Sequence, residues 1–256
     1  MASLDFLSHV RTESTRFGDC LRTADPTAEV TTCPGWSAAD LLWHLTEVQA
    51  FWATIVADRL ESYEAAAAAE PPRPTDFGEL HELFDRTSAR LLDTLATTPP
   101  ETPVWTWAPD RTAGFVLRRQ AHEALIHRRD AESVLGSFAP LDTPLAADGV
   151  DEALRIMFAS SDDPAEFTPD GSVCRVELTD APDRWTLRLG VDVGTGDESY
   201  SVDAETTDDT SPDTSVRAGA ADLDLWLWSR GDSGLSIDGD RSVFDRFAAI
   251  VAAGVE

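Results

Sequence analysis

The sequence contains no lysine. All 20 basic residues are arginine, and 47 acidic residues outnumber them. The formal charge of -27 argues against nucleic acid or an anionic membrane as a partner, because both repel an acidic surface. An all-arginine composition rich in Ala, Asp and Thr suggests a GC-rich genome; salt adaptation would give the same acidity. No run of 18 or more apolar residues occurs, so no membrane-spanning helix is expected. The first ten residues, Met1 to Val10, lack the basic flank and long apolar stretch of a secretion signal, and a cytoplasmic location is expected. Cysteine is scarce: Cys20, Cys33 and Cys174 are odd in number, far apart and without a Cys-x-x-Cys pair. A disulfide framework or an all-cysteine zinc site is not expected. What is present suits a globular protein of one large domain or two small ones: 256 residues, 42% hydrophobic, with eight tryptophans.

Helical periodicity dominates the first half. Leu4, Leu7, Val10, Phe17 and Leu21 mark a first helix. Thr31-Thr-Cys-Pro-Gly-Trp36 breaks the chain, and Ser37 with Asp40 three residues on predicts a capping box. The next helix carries Leu41, His44, Leu45, Val48, Trp52 and Ile55 on one face and is expected to run to Glu70-Pro-Pro-Arg-Pro74. A third spans about Phe77 to Ala96. An ordered loop follows to Asp110, then a fourth helix from about Thr112 to Leu135 with Gly136 as its stop. Four amphipathic helices in about 135 residues argue for a four-helix bundle.

After Phe138 the pattern changes. One more helix is expected over about Ala146 to Ala159. Alternation then predicts strands at Val173–Leu178 and Trp185–Leu189 around an Asp180–Asp183 turn, with a third over Tyr200–Ala204. Asp208 to Asp213 reads as an acidic loop. Helices are expected at Ala220–Arg230 and Ser242–Ala252. The fold class is therefore α+β, divided into 1–138 and 139–256.

The residues with chemistry cluster in Arg118-Arg-Gln-Ala-His-Glu-Ala-Leu-Ile-His-Arg-Arg-Asp-Ala-Glu132. At about 100° per residue, Glu123 and His127 point about 40° apart and suit one ion, whereas His122 and His127 stand about 140° apart and do not. His44 lies in the apolar stripe of the second helix, where an imidazole needs a hydrogen-bond partner or a metal. Two imidazoles and a carboxylate leave open positions, as a catalytic zinc or iron site requires. Both features have a plainer reading: a His–Glu pair four apart is common on solvated helix faces, and a stripe histidine is commonly a core residue with an ordinary partner. Spacing leaves both open. Asp130, three residues past His127, is a candidate acceptor for an imidazole N–H or a surface charge. Arg118, Arg119 and Arg230 are candidates for holding a substrate carboxylate, or simply pair with local acids. Cys33 sits in a turn, and nothing argues for a reactive thiolate there. Trp36 and Trp43 read as packing, and His9 and His81 have no supporting pattern.

Thr32-Cys-Pro-Gly-Trp-Ser-Ala-Ala-Asp-Leu-Leu-Trp-His44 and the Arg118–Glu132 segment resemble the mycothiol-dependent maleylpyruvate isomerase family of actinobacterial, DinB-like metalloenzymes. Gly219-Ala-Ala-Asp-Leu-Asp-Leu-Trp-Leu-Trp-Ser-Arg230 and Ile237-Asp-Gly-Asp240 resemble its C-terminal domain, which is similar to sterol carrier proteins. The resemblance spans nearly the whole chain; Ser229 departs from the glycine many relatives carry. It implies a DinB-like bundle with His44, Glu123 and His127 as ligands of a divalent metal, zinc foremost, and mycothiol as cosubstrate. The partners it implies are a low-molecular-weight thiol and a small electrophile, in a monomer or homodimer. The reaction implied is thiol-assisted isomerisation or S-transfer: the thiolate adds to an electrophilic carbon, and the adduct rotates and expels the thiol or is itself the product. The alternatives are a DinB-like hydrolase or transferase that does not use mycothiol, and a non-catalytic metal- or ligand-binding protein.

Overall fold

Four long helices occupy the first half, and each begins where a side chain accepts a backbone N–H of the first turn, a group with no partner inside the helix. In the computed structural model, which describes residues 4–160, 165–204, 211–231 and 234–254, Asp5 caps α1 (Phe6–Arg22) and Ser37 caps α2 (Ala38–Asp58). Asp76 caps α4 (Phe77–Thr97) and Thr112 caps α5 (Ala113–Leu135). The capping box is formed: Ser37 Oγ accepts from Asp40 N at 3.2 Å, and Ser37 N donates to Asp40 Oδ2 at 3.0 Å. Gly136, in the left-handed region, stops α5.

The second helix is shorter than its sequence suggests. It ends at Asp58, where Arg59 turns left-handed with φ 50° and its N–H returns to Ile55 O. The start of the alanine run that periodicity joins to it instead forms α3 (Tyr63–Ala67), capped by Ser62. An independent cap and a left-handed residue thus divide what periodicity alone joins.

The four long helices close into a ring in the order α1, α5, α2, α4. Phe17, Leu21, Leu41, Leu42, Leu45, Leu80 and Phe84 fill its centre. Arg128 of α5 is also fully buried, with Nε on Glu13 of α1 at 2.7 Å and Nη1 on Glu132 at 2.8 Å. A buried guanidinium costs several kcal/mol to desolvate unless carboxylates meet it in good geometry; here two do. α2 and α5 are ring neighbours, so their facing stripes meet inside the bundle. The chain divides into two compact units, Met1–Ala139 and Pro140–Glu256.

The second unit opens with α6 (Thr143–Glu152), earlier than periodicity suggests. Asp142 caps it and Pro144 sits in its first turn, where a missing N–H costs nothing. Its end becomes a π-helical turn over Ala153–Met157. A five-stranded sheet follows in the order β3-β2-β1-β4-β5, made of β1 (Phe167–Leu178), β2 (Arg184–Asp192), β3 (Glu198–Val202), β4 (Thr214–Ala218) and β5 (Ser236–Gly239). β1 and β4 run parallel; the other neighbours are antiparallel. The two last strands were not expected from the sequence. Positions 208–210 of the expected acidic loop lie outside the described residues. β1 bulges between Pro169 and Val173, and its backbone crosses so close to Gly190 that a Cβ there would stand 2.1 Å from Thr168 O. α7 (Ala220–Leu227) packs on α6, and α8 (Arg241–Ala253) sets Phe244, Phe247 and Val251 against the sheet. Among the described residues no helix is long and apolar enough to cross a membrane. The three cysteines form no disulfide, and burial pushes the Cys174 thiol up to about 12.

Candidate metal centre

Three side chains meet where α2 faces α5. His127 Nε2 lies 3.0 Å from Glu123 Oε1, and His44 Nε2 lies 3.5 Å from the same oxygen. The three ligand-type atoms fall within 4.8 Å of one another. The helix supplies the first pairing, since a four-residue step returns Glu123 and His127 to nearly the same face. The bundle supplies the second, by setting the His44 turn of α2 opposite. The imidazole rings of His44 and His127 stand edge to face, centroids 4.8 Å apart, and Trp36 lies against His44 at 4.9 Å.

Each member has support. Arg119, one turn before Glu123, donates to its other oxygen, Oε2. Burial works against the Glu123 anion, but Arg119, His127 and His44 outweigh it and hold the carboxyl well below its ordinary range. His127 Nδ1 meets Asp130 Oδ2 at 2.9 Å, and Asp130 is fully buried. Burial disfavours a charged His127 ring too, yet Asp130 and Glu123 push its pKa up to about 9. Glu47 stands 3.7 Å from His44 Nδ1, beyond hydrogen-bonding distance. Its carboxyl is raised by burial.

Of the remaining candidates, Arg118 leaves α5 about 140° around from Glu123. Arg230 follows α7 in the second unit and donates to Trp228 O at 2.6 Å. His122 faces Phe6 of α1, 6.1 Å between ring centroids, and takes no part in the cluster. Sequence reasoning missed the grip of Arg119 on Glu123, although the four-residue spacing of the pair could have signalled it. It also missed Thr32, whose hydroxyl donates to Asp130 Oδ1 at 2.6 Å. That contact spans 98 residues of sequence and leaves no local signature.

The donor set fits a divalent cation. Two imidazole nitrogens and a carboxylate oxygen are the ligands of a catalytic zinc site, and bonds of about 2.1 Å in tetrahedral geometry separate neighbouring ligand atoms by roughly 3.4 Å. The two spacings to Glu123 Oε1, 3.0 and 3.5 Å, bracket that value, and the three atoms together lie within 4.8 Å of one another.

Comparison with known proteins gives the same two-part division. Residues 7–132 match the mycothiol maleylpyruvate isomerase N-terminal domain, and residues 144–246 match the C-terminal domain of the same family. No curated protein matches the chain. Two solved structures do: a mycothiol-dependent maleylpyruvate isomerase and a mutant of it with one histidine changed to alanine. Each aligns at a TM-score of 0.58 and 14% identity, covering 91% of this chain and 92% of its own. At that identity the likeness is one of fold. Two family domains, matched in order along the chain, show that it belongs to the mycothiol-dependent maleylpyruvate isomerase family.

Proposed function

We propose that this chain is a cytoplasmic, zinc- and mycothiol-dependent enzyme that acts on a small electrophile by thiol addition, with His44, Glu123 and His127 as the metal ligands. The observation that carries this reading is the convergence of two imidazole Nε2 atoms, from separate helices, on one carboxylate oxygen of Glu123. A divalent cation there would keep a coordinated thiol deprotonated.

The chain's own residues set up that chemistry. Arg119 holds Glu123 as the anion. Asp130 accepts a hydrogen bond from His127 Nδ1–H, which leaves the Nε2 lone pair on the side of Glu123 and His44. Trp36 limits rotation of the His44 ring. Three protein ligands are one fewer than a closed structural zinc site uses, which leaves room for sulfur. Addition of the thiolate forms one C–S bond and moves the electron pair of a conjugated C=C bond onto its carbonyl. Rotation about the former double bond and expulsion of the same thiolate give the isomer; protonation of the adduct gives S-transfer instead.

The test is a zinc-loaded chain assayed with mycothiol and maleylpyruvate. Turnover should require both zinc and thiol, and His44→Ala should abolish it and lower zinc uptake. Unchanged turnover in His44→Ala sinks the metal reading, and so does a wild-type chain that takes up no zinc, the result expected of a purely hydrogen-bonded ion cluster. Equal turnover with water or another thiol would reassign the cosubstrate. Zinc binding without turnover would point to a carrier.

A further inference from the structure

Asp130 has both carboxylate oxygens engaged by different parts of the fold. Oδ2 faces His127 Nδ1 at 2.9 Å, and Oδ1 accepts from Thr32 Oγ1 at 2.6 Å. Thr32 also stands 3.4 Å from Ser133 Oγ. It belongs to the loop ahead of α2, where Cys33-Pro34-Gly35-Trp36 makes a tight turn closed by Trp36 N donating to Cys33 O at 3.0 Å. Gly35 has φ 85°, and proline followed by a positive-φ glycine is the sequence a type II turn requires. Val30 N donates to Trp36 O at 2.9 Å and clamps the two sides of the loop together. From this clamped loop Trp36 packs on His44, while Thr32 reaches across to α5. One turn therefore touches the supports of two ligands carried on different helices.

A carboxylate fixed at one oxygen presents the other in a set direction. With its proton held at Nδ1 by Asp130, a neutral imidazole has its lone pair at Nε2, the atom that faces Glu123 and His44. We propose that Thr32 is a positioning residue of this site: its hydroxyl orients Asp130, Asp130 fixes the tautomer and ring plane of His127, and the affinity of the cluster for a divalent cation depends on that relay. This inference rests on the metal reading of His44, Glu123 and His127.

The experiment is competition for Zn2+ between a chromophoric chelator and the full-length chain. Thr32→Val keeps the shape and removes the hydroxyl; one step removed from the ligand, it should weaken zinc binding up to roughly tenfold, the low end of the effect of losing a group that itself orients a ligand. Thr32→Ser restores the hydroxyl and should bind like wild type. Asp130→Asn turns a donor towards His127 Nδ1 and should lose more; adding Thr32→Val to it should cost little further, because residues acting in one chain are not additive. Circular dichroism checks that each variant is folded, and if Thr32→Val is not, Thr32→Ala replaces it. Wild-type affinity in folded Thr32→Val, equal losses in the serine and valine variants, or full additivity with Asp130→Asn overturns the inference alone. A wild-type chain that takes up no zinc overturns the metal reading and this inference together.

Discussion

His127 stands between two carboxylates that both favour its charged ring, and this shared demand sets a pH window. The ring's pKa is raised from an ordinary 6.5 to about 9, so in the metal-free chain the charged ring is the stabilised form. That contribution is fully present below pH 6.5 and is lost as pH climbs through about 9. A cation needs the opposite state, a neutral ring with Nε2 free of its proton. Between pH 6.5 and 9, zinc affinity should therefore rise while the melting temperature of the metal-free chain falls. Uptake near pH 7 should release a proton, which calorimetry in buffers of different ionisation enthalpy reads directly. A pH-independent zinc affinity over that range would contradict this account. The meeting of Glu123 and His127 on α5 was legible because a four-residue step puts two side chains on one helix face. Arg119 was read as either a substrate anchor or a partner of local acids; that its partner is Glu123 depends on which rotamers the packed helix allows.

At the scale of elements, the capping box is the most local of the devices that position the centre, and it was readable from Ser37 and Asp40 alone. It sets where α2 begins, and so which turn carries His44 inward. Replacing Ser37 by alanine removes the acceptor for Asp40 N and should cost about 1 kcal/mol, a fall in melting temperature of roughly 3 °C in a chain of this size. Calorimetric scans of the two proteins check it; no change would mean that water caps the helix equally well. Helices read well wherever their caps and apolar stripes coincide, as in α4 and α5. They read poorly where a run of good helix formers hides a break: Ala65 to Ala69 looks continuous with α2, yet Arg59 has already turned the chain. β4 and β5 escaped notice for another reason. β4 is five residues, Thr-Ser-Val-Arg-Ala, paired in parallel with a strand nearly forty residues earlier, and β5 is a four-residue edge strand with mostly exposed side chains. Pairing of that kind is decided by tertiary contact and leaves little periodicity to read.

At the scale of the molecule, every group in the proposed centre belongs to one unit. Thr32, Trp36, His44, Arg119, Glu123, His127 and Asp130 all lie within Met1–Ala139, which has its own apolar core and buried ion pairs. A fragment of residues 1–139 should therefore fold and bind zinc as tightly as the whole chain, measured by the same chelator competition. A loss beyond about tenfold, or 1.4 kcal/mol, would mean that the second unit contributes to the site. The division into a helical part and a mixed part was legible from the change of period near Phe138. The strand order was not, because the parallel β1–β4 pair depends on which distant segments meet.

The Cys33–Trp36 turn sits at the surface, with Pro34 and Gly35 exposed. Exposed loop tips ordinarily accept added residues with little harm. This one has no slack, because the residues on its two sides are each spoken for by a different helix. Lengthening it by a single residue would pull its two grips out of step, so the tip can vary in composition at Pro34 more readily than in size. Drift in this protein should accordingly show tolerance to exchange and intolerance to insertion in the same half-dozen positions.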